Sequence, residues 1–303
     1  MLIPLATSIL FSVQPYLALD DSELHWNIAR DLRDTDSPNV LSELEFEGIS
    51  TQLVGLQGRA SREWRGSWRL LLEADGSYSR VDRGTTVDSD YFGDDRTGLY
   101  SRSRANIVGD TGVNGRGGIG LAYDLVPGRH GLAVLAGVYY QEQNLNFRRG
   151  TQEVADPSVF GSASVDDVNV LLQHLDTDYR SEWQGNYLGF AYHWTWKNWS
   201  SQWRLNYHRG RYYGEGRWNL RRDFQQPHSF SHFVTSSGYE LRWQLDYQLS
   251  QHWSAFGALL RRQWDAKAGV SVTFLSNGEI SATRFNEVVW RVSQTRFGLT
   301  YRW

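Results

Sequence analysis

The sequence predicts an all-β protein, a closed antiparallel transmembrane β-barrel of about ten strands with long extracellular loops. Three observations carry this. The first is period two: in Tyr239–Leu249 the residues Tyr239, Leu241, Trp243, Leu245, Tyr247 and Leu249 alternate with Glu240, Arg242, Gln244, Asp246 and Gln248, the pattern of a strand with one greasy and one wet face. The second is where the rings fall. Aromatic residues mark both ends of the apolar faces, and the chain runs out through Phe297, Leu299, Tyr301 and Trp303, as expected of a strand crossing two water–lipid interfaces. The third is composition: 14 Trp, 16 Tyr and 13 Phe make a chain rich in rings and poor in plain hydrocarbon, unlike a soluble core. Bilayer physics links the three. In hydrocarbon every backbone N–H and C=O must be paired, so a sheet can span only by closing on itself, apolar outside and free to be polar inside. A secreted β-sandwich is the soluble alternative.

The elements follow in order. Leu2–Leu19 is uncharged and ends near small Ala18, so residues 1–19 read as a signal peptide and 20–303 as a single barrel domain. An uncleaved membrane helix is the alternative for that stretch, with Pro4 and Pro15 against it. The first strand is expected near Glu23–Arg30, the second from Val40 to Ala60, and a turn at Ser61–Gly66 leads into the third. A long loop is expected over Asp82–Asp110, then a hairpin turning at Pro127–Gly131, then a second long loop over about Gly150–Thr177. Trp183–Trp196 turns at Lys197–Gln202 into the next strand. Another long loop runs to about Ser237, and a hairpin at Ser276–Glu279 closes the sheet.

Composition excludes several functions. The net charge of −3 comes from 31 basic and 34 acidic residues mixed along the chain, which gives no field for nucleic acid. With no cysteine there is no disulfide, thiolate or cysteine metal site. Gly115–Gly120 matches a dinucleotide-binding pattern by letters, but it sits inside a strand with no helix after it, so no nucleotide is expected. His228–His232 could hold a metal, yet no third ligand stands at a suggestive spacing. Asn198–Ser200 is a glycosylation sequon in letters only, in a periplasmic turn. The acidic run Val87–Asp95 carries four carboxylates with no basic partner. It reads either as a hydrated loop, with oxygen ligands for a divalent cation, or as half of a catalytic site.

Three stretches bear a resemblance. Ala136–Gln152 resembles the fifth-strand signature of the omptins, outer-membrane aspartyl endopeptidases; Val40–Phe46 is similar to their second strand, and Val87–Tyr91 to their acidic second loop. The loop and strand pattern, with Tyr212–Phe224, also resembles a non-proteolytic relative, the Protochlamydia outer membrane protein family, regarded as pore-forming. The omptin resemblance implies a ten-stranded barrel in which two acidic residues face an Asp–His pair across a cleft with a water between them. Asp88 and Asp90 match the first pair, and alternate residues of an extended segment face the same way. Asp36 matches the position that reads a basic side chain of the substrate. The second pair does not match: Glu215 and Arg217 stand where Asp-x-His is expected, and arginine cannot act as a base. The remaining candidate base is His228 with Asp223.

The expected function is therefore a non-proteolytic outer-membrane barrel, a narrow pore or a structural surface protein. An omptin-type endopeptidase cleaving near basic residues with a rearranged base is the alternative. The resemblance implies no cofactor apart from lipopolysaccharide as an activating lipid, and the expected partners are outer-membrane lipid, lipopolysaccharide and the barrel assembly machinery. Inward Arg242, Gln244, Asp246, Gln294, Arg296 and Arg302 are expected to pair and block most of the lumen, because a ten-stranded barrel is only slightly wider than one that side chains fill.

Overall fold

The computed structural model describes residues 9–33, 35–160 and 171–303. Eleven antiparallel strands make one hydrogen-bonded ring: β1 (Ile9–Ile28), β2 (Ser42–Arg65), β3 (Trp68–Gly93), β4 (Thr97–Ile107), β5 (Thr111–Val126), β6 (His130–Ala155), β7 (Thr177–Trp196), β8 (Trp199–Arg217), β9 (Phe230–Gln248), β10 (Trp253–Phe274) and β11 (Ile280–Arg302). β1 pairs with both β2 and β11, so the sheet has no free edge. The strands fill ten wall positions, because β4 and β5 lie end to end between the same two neighbours. β3 pairs with β4 over Gly84–Gly93 and with β5 over Trp68–Arg80, and β6 does the same on the other side. At the interruption Gly109 takes a positive φ of 50°, yet the ladder stays satisfied: the Val81 N–H donates to the Asp110 carbonyl (2.7 Å) and the Val108 N–H to that of Asn146 (3.0 Å).

The outer face explains the alternation. In β9, Tyr239, Leu241 and Tyr247 are exposed while Glu240, Arg242, Gln244 and Asp246 are buried in the lumen. Exposed Phe11, Trp68, Tyr123, Trp199, Trp253 and Trp303 ring the end with the short turns. Tyr78, Tyr207 and Tyr239 mark the upper limit of the apolar band. From Tyr239 to Tyr247 a strand climbs about 27 Å; with tilt, this fits an apolar band of about 25 Å.

Three boundaries differ from expectation. β1 begins at Ile9 rather than near Glu23, and residues 9–19, assigned above to a leader or a membrane helix, are strand: they pair with Gln52–Arg62 of β2 and Thr295–Arg302 of β11. Their own alternation accounts for this, with Leu17 and Leu19 outward and Tyr16 and Ala18 buried. Residues 1–8 lie outside the described residues. Asp82–Asp110 is wall rather than loop, since β3 continues to Gly93, turns through a short 3-10 turn at Asp94–Arg96 and returns as β4. β9 likewise starts at Phe230, ahead of the expected Ser237. The cause is shared. Above the membrane the outer face meets water, both faces carry Ser, Thr, Asp and Arg, and the greasy–wet signal disappears. Of the expected loop over Gly150–Thr177, β6 takes the first residues and a short helix covers Pro157–Phe160; 161–170 lie outside the described residues.

The lumen is filled in layers. Within the membrane band, Glu240 accepts from Arg262 (2.5 and 2.9 Å), Arg116 (2.9 Å) and Asn206 (2.9 Å). Asp75 accepts from Tyr16 (2.7 Å), Arg296 (3.1 Å) and Arg116 (3.3 Å), and Glu73 from Arg204 (2.8 Å) and Tyr187 (3.0 Å). Only about 10 Å³ of space remains among Asp75, Arg116, Glu240, Arg262 and their neighbours. Above lies a layer of rings: Trp183, Trp264, Trp290, Tyr139 and Tyr212 pack with centroids 4.5–6.2 Å apart. Of the six inward residues named above, Arg296 joins this ion-pair layer, while Arg242 meets the Gln57 and Gln244 amides and Arg302 stands 3.7 Å from Asp246; the aromatic layer above it was not foreseen from the sequence.

Candidate functional site in the upper mouth

Asp88 and Asp90 stand on β3 well beyond Tyr78, outside the membrane-spanning part of the strand. Asp88 is paired in register with Leu44 and Asp90 with Ser42. Leu44 belongs to the buried core, so directly opposed residues on one face put Thr86, Asp88 and Asp90 inside the barrel. Val87, Ser89 and Tyr91 take the other face. The two carboxylates line a cavity of about 410 Å³ with Tyr100 from β4, Phe147 from β6, and Trp218 and Arg221 from the β8–β9 connection.

The acidic run is thereby divided. The Trp218 indole N–H reaches Asp88 at 3.4 Å, a long contact that leaves the carboxylate weakly served. Burial pushes Asp88 up to about 8, the Asp90 charge adds to this, and Trp218 and Arg221 only partly oppose it. Asp90 is also raised by burial, against hydrogen bonds from Ser42 and Ser101 and the Arg221 charge. Burial and mutual repulsion thus both favour the protonated form of the pair. Asp94 and Asp95 are held elsewhere: Asn39 donates to Asp94 (2.8 Å) and Asp95 (3.0 Å) and accepts from the Asp95 N–H (2.9 Å). Two carboxylates inside and two outside do not form one hydrated loop, and among the described residues no three His, Cys, Asp or Glu converge as metal ligands.

The expected Asp223–His228 pair does not form. Asp223 is held by the Arg221 guanidinium at 2.9 and 2.6 Å. His228 instead places Nδ1 2.9 Å from Glu215 and Nε2 2.8 Å from the Ser231 hydroxyl, with its ring against Phe274. Tyr212 of β8 is buried in the lumen core, so by alternation Tyr213 and Glu215 lie on the outer face. His228 follows them to that side of the wall. His232 lies on the inner side, buried against Trp26 and Phe285, so the two histidines cannot share an ion. Asp36 is exposed in the β1–β2 connection, where its N–H donates to Asp31 (3.1 Å), and it does not line the cavity. Of the residues singled out in the sequence, the cavity gathers Asp88 and Asp90 alone. Tyr100, Trp218 and Arg221 were missed, and only the Arg-Arg-Asp run at Arg221–Asp223 hinted at a charge held in a loop.

A fully closed wall with buried charges inside and rings outside is a bacterial outer-membrane barrel, and the family model for Protochlamydia outer membrane protein matches residues 20–303. The chain belongs to that family. Among solved structures, this Protochlamydia outer membrane protein family member is similar to the outer membrane protease OmpT from Escherichia coli, with a TM-score of 0.76 and 9% identity over 100% of this chain and 99% of that one. Weaker likenesses are to OprG from Pseudomonas aeruginosa (TM-score 0.37, 11% identity, 98% and 97% covered) and to a Pseudomonas aeruginosa FadL homologue (0.33, 9%, 96% and 90%). No curated protein matches by sequence. At such identities the likeness to OmpT concerns the fold. The family and its fold place the chain in the bacterial outer membrane.

Proposed function

We propose that this family member is a non-proteolytic outer-membrane barrel with a sealed lumen, acting at the surface through its upper mouth. One observation carries the reading: the base candidate His228 and the acids Asp88 and Asp90 lie on opposite faces of the wall. Amide hydrolysis needs a group that takes a proton from the attacking water. Arg221 cannot accept one, and burial raises both Asp88 and Asp90, which favours their protonated forms. The charge-filled middle layer supports a structural surface role over that of a pore.

One alternative has an observation in its favour. Two neighbouring buried acids can share a proton and orient a water by themselves, as aspartic proteases do, and the barrel has the fold of a protease. A fluorogenic dibasic peptide offered to the refolded chain in detergent with lipopolysaccharide decides between them. The proposal expects no cleavage by wild type whose folding is verified by heat-modifiable gel mobility. Cleavage that disappears in both Asp88→Ala and Asp90→Ala would establish the protease.

A further inference from the structure

The lower end of the lumen holds a second cavity, of about 310 Å³, below the ion-pair layer. Its walls leave room because Ala122, Ala133 and Ala191 face inward there, while Arg59, Arg69 and Arg302 project into the same space with Asp246. Arg59 is the least matched of them, and Arg302 has no close carboxylate, although it donates to the Ser254 hydroxyl at 3.0 Å. Arg59 comes no closer than 3.7 Å to Glu73, whose oxygens already serve Arg204 at 2.6 and 2.8 Å and Tyr187 at 3.0 Å. The Arg59 Nε–H is buried with no hydrogen-bond acceptor among the described residues, and so is that of Arg69, although Arg69 is bound to Asp124 at 2.6 Å. Arg302 lies 3.7 Å from Asp246, whose carboxylate takes the Gln244 amide at 3.0 and 3.2 Å.

A buried N–H without an acceptor is costly, and a planar guanidinium is suited to an oxyanion through paired hydrogen bonds. We infer that this vestibule binds a small oxyanion of the phosphate class, gripped by Arg59 and Arg302 with Arg69 beside them. Gln14, Ser61 and Gln202 line the same space and supply neutral donors. The cavity volume lies at the lower end of the range for small-molecule sites, so a phosphate with a small organic group also fits. The site is separated from Asp88 by the whole ion-pair and ring layers and does not depend on the reading of the mouth.

The test is isothermal titration of the full refolded chain with inorganic phosphate and pyrophosphate, in nonionic detergent at low salt, where charge pairing is least screened. The expected result is saturable binding, weakened at least about tenfold in both Arg59→Gln and Arg302→Gln by loss of a charge-assisted hydrogen bond, and unchanged in Arg148→Gln at the opposite rim. Arg302 is half-exposed at the lower rim, so its variant keeps the test valid if Arg59→Gln fails to fold. The same titration in phosphatidylglycerol vesicles separates sources: heat retained there supports a free oxyanion, and heat lost there but present in detergent supports a headgroup in the site. Absence of binding by folded wild type in detergent, or equal binding by both arginine variants, overturns the inference.

Discussion

Two groups of buried carboxylates in the barrel are treated differently. In the membrane band, Glu240 is met by two arginines and an asparagine, and Asp75 by two arginines and a tyrosine. In the mouth, Asp88 and Asp90 face each other's charge and one arginine already committed to Asp223. Where lipid surrounds the wall, an unmatched charge would have no water to fall back on, and Glu240 and Asp75 are matched, although Asp20 Oδ1 and the Arg59 Nε–H are buried without a hydrogen-bond partner among the described residues. Above the membrane, where a cavity opens, the two acids share only Trp218, Ser42, Ser101 and the Arg221 charge, and burial raises both. The first arrangement fills the middle of the lumen with paired side chains; the second leaves a cavity lined by acids at the upper mouth.

Breaking the matched region should have the largest effect. Glu240→Ala strands Arg262 in the lumen, leaves Arg116 with Asp75 alone, and is expected to cost roughly 3–5 kcal/mol, read as a lower urea midpoint for loss of the heat-modifiable folded band. The mouth should respond to pH instead. Because the folded pKa of Asp88 is raised, the unfolded chain binds fewer protons between about pH 4 and its folded value of about 8. Stability contributed by this group is complete below that window and is lost as pH rises through about 8. Asp88→Asn should flatten the decline, measured as thermal unfolding from pH 4 to pH 9. Glu43, on the outer face above the membrane, supplies the opposite sign: burial disfavours its charge, but hydrogen bonds from His25, Tyr91 and Arg96 outweigh this and hold it down to about 2. Its contribution is present above about pH 4.5 and lost as pH falls through about 2, and Glu43→Gln at pH 7 should cost about 1 kcal/mol in the same unfolding assay.

How much of this contrast could be read in the chain depends on the solvent outside each wall. Tyr239–Leu249 announced its lumen face because lipid forces every second residue to be apolar, and Glu240 and Arg296 could be placed on the polar face, whereas Asp75, Arg116 and Arg262 were not foreseen as their partners. The parity of Asp88 and Asp90 was legible too. Their surroundings were not: the upper wall is polar on both faces, so β3 and β4 looked like loop, and Trp218 and Arg221 come from a connection whose path no local pattern fixes. His228 looked like a base because it is the first histidine after the place where one was expected, whereas its partner Glu215 sits on the outer face of a neighbouring strand. Residues 9–19 were uncharged enough to resemble a leader, yet their alternation is that of a strand.

The smallest effect sharpens the same comparison. His228→Ala removes hydrogen bonds to Glu215 and Ser231 on the outer wall and should lower stability by only about 0.5–1 kcal/mol, with the pH profile of the mouth unchanged in the thermal assay.

The central claim, that matched charges seal the lumen, is tested most directly by planar-bilayer recording of the refolded wild type at neutral pH. The sealed barrel predicts a trace at the baseline of the empty membrane after insertion verified by protease protection. Stable, stepwise openings carried by the wild type would contradict it.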